Sequence, residues 1–263
     1  MNQEKVKTFE NIIKKNYPNI CGVVVMKDNK IVYENYENKD MLTMTAPLKY
    51  KEPPYVDYFT GLDYLKFSLD MLGGDNEIGT FSYAPLIGPD VLSGIIKNST
   101  NQSVLEFATK NLFEPLGILP PENIVFKNAD EQFLFNQSTD KNNWVADSKN
   151  LNTAGWGLAL STLDMAKIGQ LYLNGGVYNC KRIVSTNWVK ESTSVHSHLN
   201  ELMYGYLWWI LDEYSFAALG DGGNTIYVDT KNNIIVSISA LFVPNSKEKI
   251  KLIKQYIKPA FED

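Results

Sequence analysis

Cysteine, histidine and clustered positive charge are all scarce in this chain. Only two of its 263 residues are cysteines and two are histidines. Two cysteines cannot build a disulfide framework, and the spacing of Cys21 and Cys180 matches no redox or metal motif. Cys21 falls in an apolar run, and Cys180 follows Asn179 in a turn-like stretch. His196 and His198 stand in "SVHSHLNE". A His-x-His pair with Glu201 as third ligand can chelate zinc, but the polar surroundings read as a loop, so no metal and no cofactor is expected. The lysines are scattered and the net charge is -5, which gives no footing for nucleic acid or an anionic membrane surface. No apolar run approaches the roughly 18 residues needed to span a bilayer. The opening "MNQEKVKTFENIIKKNYPNI" is charged and amphipathic and lacks the apolar h-region of a signal peptide. The expected location is therefore the cytoplasm. There is no internal repeat, no low-complexity stretch, and no Gly-x-Ser-x-Gly elbow.

What the chain has in quantity is core material: 44% of its residues are hydrophobic and 12% aromatic. The spacing of Val6, Phe9, Ile12 and Ile13 predicts an N-terminal helix that Pro18 and Asn19 stop. "ICGVVVMKDNKIVYENY" reads as a hairpin around Lys27 to Lys30, and Asp40 to Met44 as a helix start. Further helices are expected over 61–72, 86–98 and 102–113. The polar stretch 122–150 reads as loop with short strands. "STLDMAKIGQLYLNGG" carries Ser161 as N-cap, Asp164 in its first turn and glycines at its end. A short helix follows over 185–191. Beyond residue 204 the pattern becomes strand-like in "YGYLWWIL", "SFAALG", "NTIYVD" and "NIIVSISALFV", with turns between. An amphipathic helix over 246–261 closes the chain, its lysines on a solvated face.

The long stretch from "GWGLALSTLDMAKIGQ" to "NWVKEST", the pair "YGYLWWI" and "LGDGGNTIYVDTKNNIIVSISA", and the shorter "KDMLTMTAP" and "SVLEFATKNLFEPLGI" together resemble the β-lactamase-related serine hydrolases. That family includes class C β-lactamases, DD-peptidases and related esterases. The resemblance implies an α/β architecture of α+β type, with an antiparallel sheet flanked by the terminal helices. Residues 1–37 and 204–263 would form the sheet subdomain and 38–203 a mainly helical one, with a site in the groove between them.

Chemistry in that family needs three elements. The first is Ser-x-x-Lys at the start of a buried helix, which puts an amine one turn from the hydroxyl whose proton it takes. It belongs between the hairpin and "DMLTMTAP", where this chain has only Glu37, Asn38 and Lys39. The pattern does occur as Ser138–Lys141, in a polar loop, and as Ser246–Lys249, at the start of the last helix, which the family's fold would place far from the groove. Neither leads into an apolar helix that would desolvate the amine. The second element, Tyr-x-Asn, is half kept: Tyr83 stands at the tyrosine position, as a vestigial or acid/base group, but Pro85 replaces Asn. A packed aromatic is the alternative for Tyr83, but the resemblance favours a groove residue. The third, Lys/His-x-Gly, becomes Asp221-Gly-Gly223, with Asn224 offering its backbone N–H. An anion here repels the substrate carboxylate that a cation would hold. The plainer reading is a turn that uses Asp and Gly for backbone reasons. Trp156, Trp208 and Trp209 read as core or groove wall.

The expectation is a fold of this family with a disabled acyl-transfer site and a remaining groove that holds a small molecule or peptide by Tyr83, Asp221, Gly223 and Asn224. A chain lacking a central helix needs compensation, since each unsupported large residue costs about 2–5 kcal/mol. Neighbouring helices collapse inward, a second copy covers the gap, or the polypeptide has residues beyond this sequence. Two alternatives stay open: an active hydrolase of esters or amides that uses such residues or a serine outside the usual motif, and a partner-binding structural module.

Overall fold

The computed structural model describes residues 3–16, 22–27, 30–36, 39–50, 55–60, 63–139, 142–243 and 246–261. They fall into two compact units, residues 1–40 and 41–263. The first holds helix α1 (Gln3–Asn16) and the hairpin β1 (Gly22–Lys27) and β2 (Lys30–Tyr36). The strands pair antiparallel from Gly22↔Tyr36 to Lys27↔Lys30, with a bulge at Val25/Met26 that absorbs one residue of register. The stop at Pro18 and Asn19, and Asp28 and Asn29 of the turn, lie outside the described residues. The short helix α2 (Lys39–Leu42) leads into the second unit.

The helical part of that unit comprises α3 (Tyr55–Thr60), α4 (Tyr64–Met71), α5 (Ile87–Thr100) and α6 (Val104–Ala108). The sequence explains the ends. Asp63 accepts the Lys66 N–H and caps α4, Asn101 ends α5 in the left-handed region, and Ser103 and Glu106 form a reciprocal capping box at α6. The helix expected over 102–113 continues past α6 as a wide π turn, Thr109–Phe113. Within 122–150, β3 (Glu122–Ile124) and β4 (Asn143–Val145) pair in parallel, with a helix between them, α7 (Ala129–Gln137). That helix was not expected. Its signal is Asn128 three residues ahead of Glu131, an N-cap whose side chain accepts the Glu131 N–H.

Helix α8 (Thr162–Leu173) starts at the Ser161 cap as expected. A two-residue hairpin, β5 (Val177–Tyr178) and β6 (Lys181–Arg182), leads to α9 (Thr186–Ser192), capped by Ser185. The remaining strands form one six-stranded antiparallel sheet in chain order: β7 (Ser197–Leu199), β8 (Leu202–Tyr204), β9 (Trp209–Ile210), β10 (Ser215–Leu219), β11 (Thr225–Asp229) and β12 (Ile234–Ile238). The chain closes with α10 (Lys249–Leu252), which continues as a π turn to Ile257 and a 3-10 turn to Ala260.

Strand alternation decides which face each helix covers. Phe216, Ile226 and Val228 point to one side, where Met165, Ile168 and Tyr172 of α8 pack with Trp208. Ala217 and Tyr227 point to the other, where Ile250, Ile253 and Ile257 of the closing segment meet them. Gly169 lets α8 sit close, since a Cβ there would lie 2.8 Å from Ile235. Among the described residues no helix is long and apolar enough to cross a membrane.

Candidate functional site

Residues 42–45 form a strap that holds the Tyr83 loop. Met44 adopts a left-handed φ of 57°, a costly conformation for a side chain with a Cβ. The bend turns the Met44 carbonyl to accept the Ser82 N–H at 2.7 Å, while the Thr45 carbonyl accepts from Gly79. On the sheet side the Leu42 carbonyl accepts the Leu207 N–H at 3.0 Å, and Ser197 donates its hydroxyl to the Thr43 carbonyl at 2.6 Å. Tyr83 is thereby laid over β8 and β9, beside Phe81, Tyr204 and Trp209, with ring centroids 5.5 Å apart at Trp209. It is 41% exposed, so the ring is a wall rather than core. Burial pushes the Tyr204 hydroxyl well above the ordinary tyrosine range, and Tyr83 nearby adds to this. Behind the loop, Gly155 abuts the Pro85 carbonyl so closely that a Cβ would stand 2.2 Å from the oxygen.

The other expected site residues sit at the β10–β11 turn. Gly222 and Gly223 take φ of 74° and 96°, which a Cβ would strain. Asn224 stitches the turn together. Its side-chain amide donates to the Asp221 carbonyl at 2.7 Å and its side-chain oxygen accepts the Ala240 N–H at 2.9 Å. Its backbone N–H, the expected oxyanion donor, points to the Asp221 carbonyl 3.5 Å away. Asp221, Gly223 and Asn224 line one open pocket of about 450 Å³, whose lining does not include Tyr83.

The same pocket is lined by Ser246 and Lys249. The expectation that this pair lies far from the site residues is corrected. After β12 ends at Ile238, residues 240–243 pass over the turn, and α10 begins beside it. The Lys249 stem lies on Gly223, where a Cβ would meet its Cε at 2.7 Å. Its amine donates to Ser246 Oγ at 2.9 Å and to the Lys247 carbonyl at 3.0 Å, and Ser246 donates its hydroxyl to the Gly222 carbonyl at 3.1 Å. The signal was present in the sequence as Ser-x-x-Lys; what it lacked was the chain path that brings it to the turn. The other copy of the pattern ends at Lys141, outside the described residues.

The histidines do other work. His196 stacks on Tyr206 at 4.2 Å and its Nε2 lies 2.7 Å from the Glu191 carbonyl, while His198 is exposed on β7. Among the described residues no group of three or more His, Cys, Asp or Glu is arranged to hold a metal ion. Trp208 is core, Trp209 backs Tyr83, and Trp156 donates its indole N–H to the Tyr58 hydroxyl at 3.0 Å.

No protein-family profile matches the chain. In solved structures, a Bacillus anthracis protein assigned as a 6-aminohexanoate-dimer hydrolase superposes with a TM-score of 0.64 over 95% of this chain and 81% of its own, at 19% identity. A β-lactamase-assigned protein from Bacteroides dorei superposes at 0.61 over 97% of both chains, at 13% identity. The chain has the fold of the β-lactamase-related serine hydrolases. In sequence, the 6-aminohexanoate-dimer hydrolase of Paenarthrobacter ureafaciens is 23% identical over 193 residues, 68% of this chain and 44% of the relative. The chain spans about half the length of the curated relatives it matches. In this fold the Asp221–Asn224 turn falls at the end of an inner strand of the sheet, where β10 hands over to β11.

Proposed function

We propose that this protein keeps the β-lactamase-related hydrolase fold without acyl transfer through the family's catalytic helix, and that it binds a small ligand in the pocket beside Asp221–Asn224. One observation carries the reading: Glu37, Asn38 and Lys39 are all that stands between the hairpin and the stretch Asp40 to Met44 that leads into the strap. None of them is a hydroxyl nucleophile with an amine one turn away. What remains is a wall (Tyr83), a turn with paired backbone groups, and a hollow of ligand size.

A second reading, an active hydrolase of esters or amides, draws its support from the Ser246–Lys249 contact. In it Ser246 Oγ attacks a carbonyl and Lys249 takes the proton. The observed hydrogen bonds run the opposite way, since the amine donates to the serine and the serine proton goes to a carbonyl. That amine must first lose a proton to act as base. The first reading is therefore preferred.

Intact-mass measurement after incubation with a fluorophosphonate and with a β-lactam separates the two. We expect no covalent adduct. An adduct mapped to Ser246 selects the second reading, and an adduct on any other serine overturns both.

A further inference from the structure

Tyr204 is buried without being satisfied. Only 3% of it is exposed, yet among the described residues its hydroxyl has no hydrogen-bond partner. The His196 N–H goes to its backbone carbonyl and not to the phenol. A hydroxyl left unpaired in such a place is costly and calls for a reason. Burial keeps the proton on this phenol, and the other contribution comes from Tyr83, so no charged side chain among the described residues bears on it. The influence of Tyr83 also places the phenol end of Tyr204 on the side of the Tyr83 loop. Its ring stands nearly perpendicular to those of Phe81, Tyr83 and Trp209, with centroids 5.7, 6.4 and 4.8 Å away. Phe81 and Trp209 are half-buried and Tyr83 is exposed. The loop that carries Phe81 and Tyr83 is held by the Met44 carbonyl on the Ser82 N–H and by Gly155 behind Pro85. The wall is thus set before any ligand arrives, which lowers the cost of binding.

We propose that this wall binds a neutral aromatic molecule bearing a carbonyl, its ring against Tyr83 and Trp209 and its carbonyl oxygen accepting the Tyr204 hydroxyl. The site is separate from the pocket beside Asp221–Asn224, whose lining includes none of the four aromatic residues. Each part of the ligand answers one feature. A ring makes offset or edge contacts with the exposed rings. A carbonyl gives the phenol the acceptor it lacks. A carboxylate would also accept that proton, but it would lose its hydration where no opposite charge bears on Tyr204. A cation would gain from the ring faces but leaves the phenol proton unpaired.

Titration of the full chain with acetophenone, followed at the Trp209 indole N–H in nitrogen-edited NMR spectra, tests this. Trp209→Phe identifies that resonance. The comparison molecules are toluene, which lacks the acceptor, cyclohexyl methyl ketone, which lacks the π face, benzoate and phenyltrimethylammonium. Acetophenone should bind about threefold to tenfold more tightly than each, the worth of one hydrogen bond or one ring contact. Tyr204→Phe keeps the ring and should erase the advantage over toluene while leaving that over cyclohexyl methyl ketone. Absence of a Trp209 shift with acetophenone, equal or tighter binding of any comparison molecule, or an advantage over toluene that survives Tyr204→Phe overturns the proposal. Circular dichroism shows whether Tyr204→Phe folds; if it does not, the ranking on the parent chain decides alone. The mass measurement above reads covalent chemistry separately. A serine adduct with the ranking intact sinks the proposed function alone, and a lost ranking without an adduct sinks this inference alone.

Discussion

Two buried aspartates, one in the helical part and one in the sheet, show how context reverses the meaning of one side chain. Asp90 in α5 is 1% exposed. It accepts the Tyr58 hydroxyl and the Ala154 N–H, yet among the described residues no cation pairs with it. Burial, with a smaller push from Asp147, raises its carboxyl to about 6. Asp229 at the end of β11 is also hidden from solvent but lies much less deep in the fold, faces Lys258 at 2.6 Å and accepts the N–H groups of Lys231 and Asn232. Burial opposes its ionisation, but the Lys258 amine and the Asn232 hydrogen bonds together outweigh that and hold it below the usual carboxylate range. Hydrogen bonds alone did not offset deep burial in the first case. Shallower burial, a cation and hydrogen bonds together reversed the sign in the second.

The two should therefore respond to pH with opposite sign. Asp90 binds its proton more tightly folded than unfolded, so its contribution is fully present below about pH 4 and is lost as pH rises through about 6. Asp229 is the reverse: its contribution is present above the unfolded value and is lost as pH falls through its lowered folded value. The largest effect is expected from breaking the Asp90 network. Asp90→Ala removes the acceptor of the buried Tyr58 O–H and of the Ala154 N–H at the edge of the core and should cost about 3–5 kcal/mol in denaturant unfolding. Asp90→Asn keeps the shape and removes the charge. Its stability relative to the parent should rise between pH 4 and pH 7 by on the order of 2–3 kcal/mol. A flat difference across that range would mean that Asp90 ionises as readily in the folded chain as in the unfolded one.

The next effect concerns the sheet. Lys258→Met strands the Asp229 carboxylate with only its N–H donors and should cost about 1–3 kcal/mol near neutral pH, shrinking in acid as Asp229 takes up a proton. An undiminished cost in acid would assign the loss to packing of the closing segment instead. The smallest effect is expected at the surface. Lys149 pairs with Asp63 across 86 positions of sequence, but the lysine side chain is 67% exposed. Lys149→Met should change the unfolding midpoint by less than about 1 kcal/mol, and added salt should erase what there is.

The sequence made some of this legible and withheld the rest for physical reasons. Caps that act locally were readable: Ser161 and Ser185 start helices where their side chains accept N–H groups three residues on. The C-terminal strands were readable because alternation had to serve two packed faces. The strand expected through residue 243 stops at Ile238, since Ala240 turns to bond Asn224. "YGYLWWIL" breaks at Leu207, whose φ of 60° no strand permits. At the site, the Asp221 turn was found by pattern. The meeting of that turn with Ser246 and Lys249 was not, because it depends on how residues 240–243 fold back. The Met44 strap left no signal in composition or period. Its strain is sustained by hydrogen bonds to residues far along the chain.

Gly155 has a consequence of its own. Where two backbones touch with only a hydrogen between them, the separation is set by van der Waals radii, and no rotamer can relax it. The position of Tyr83 against Trp209 is therefore gauged from behind by a residue seventy places downstream of Pro85 that has no side chain to offer. The width of the aromatic wall can drift only if the main chain on one side of that contact gives way.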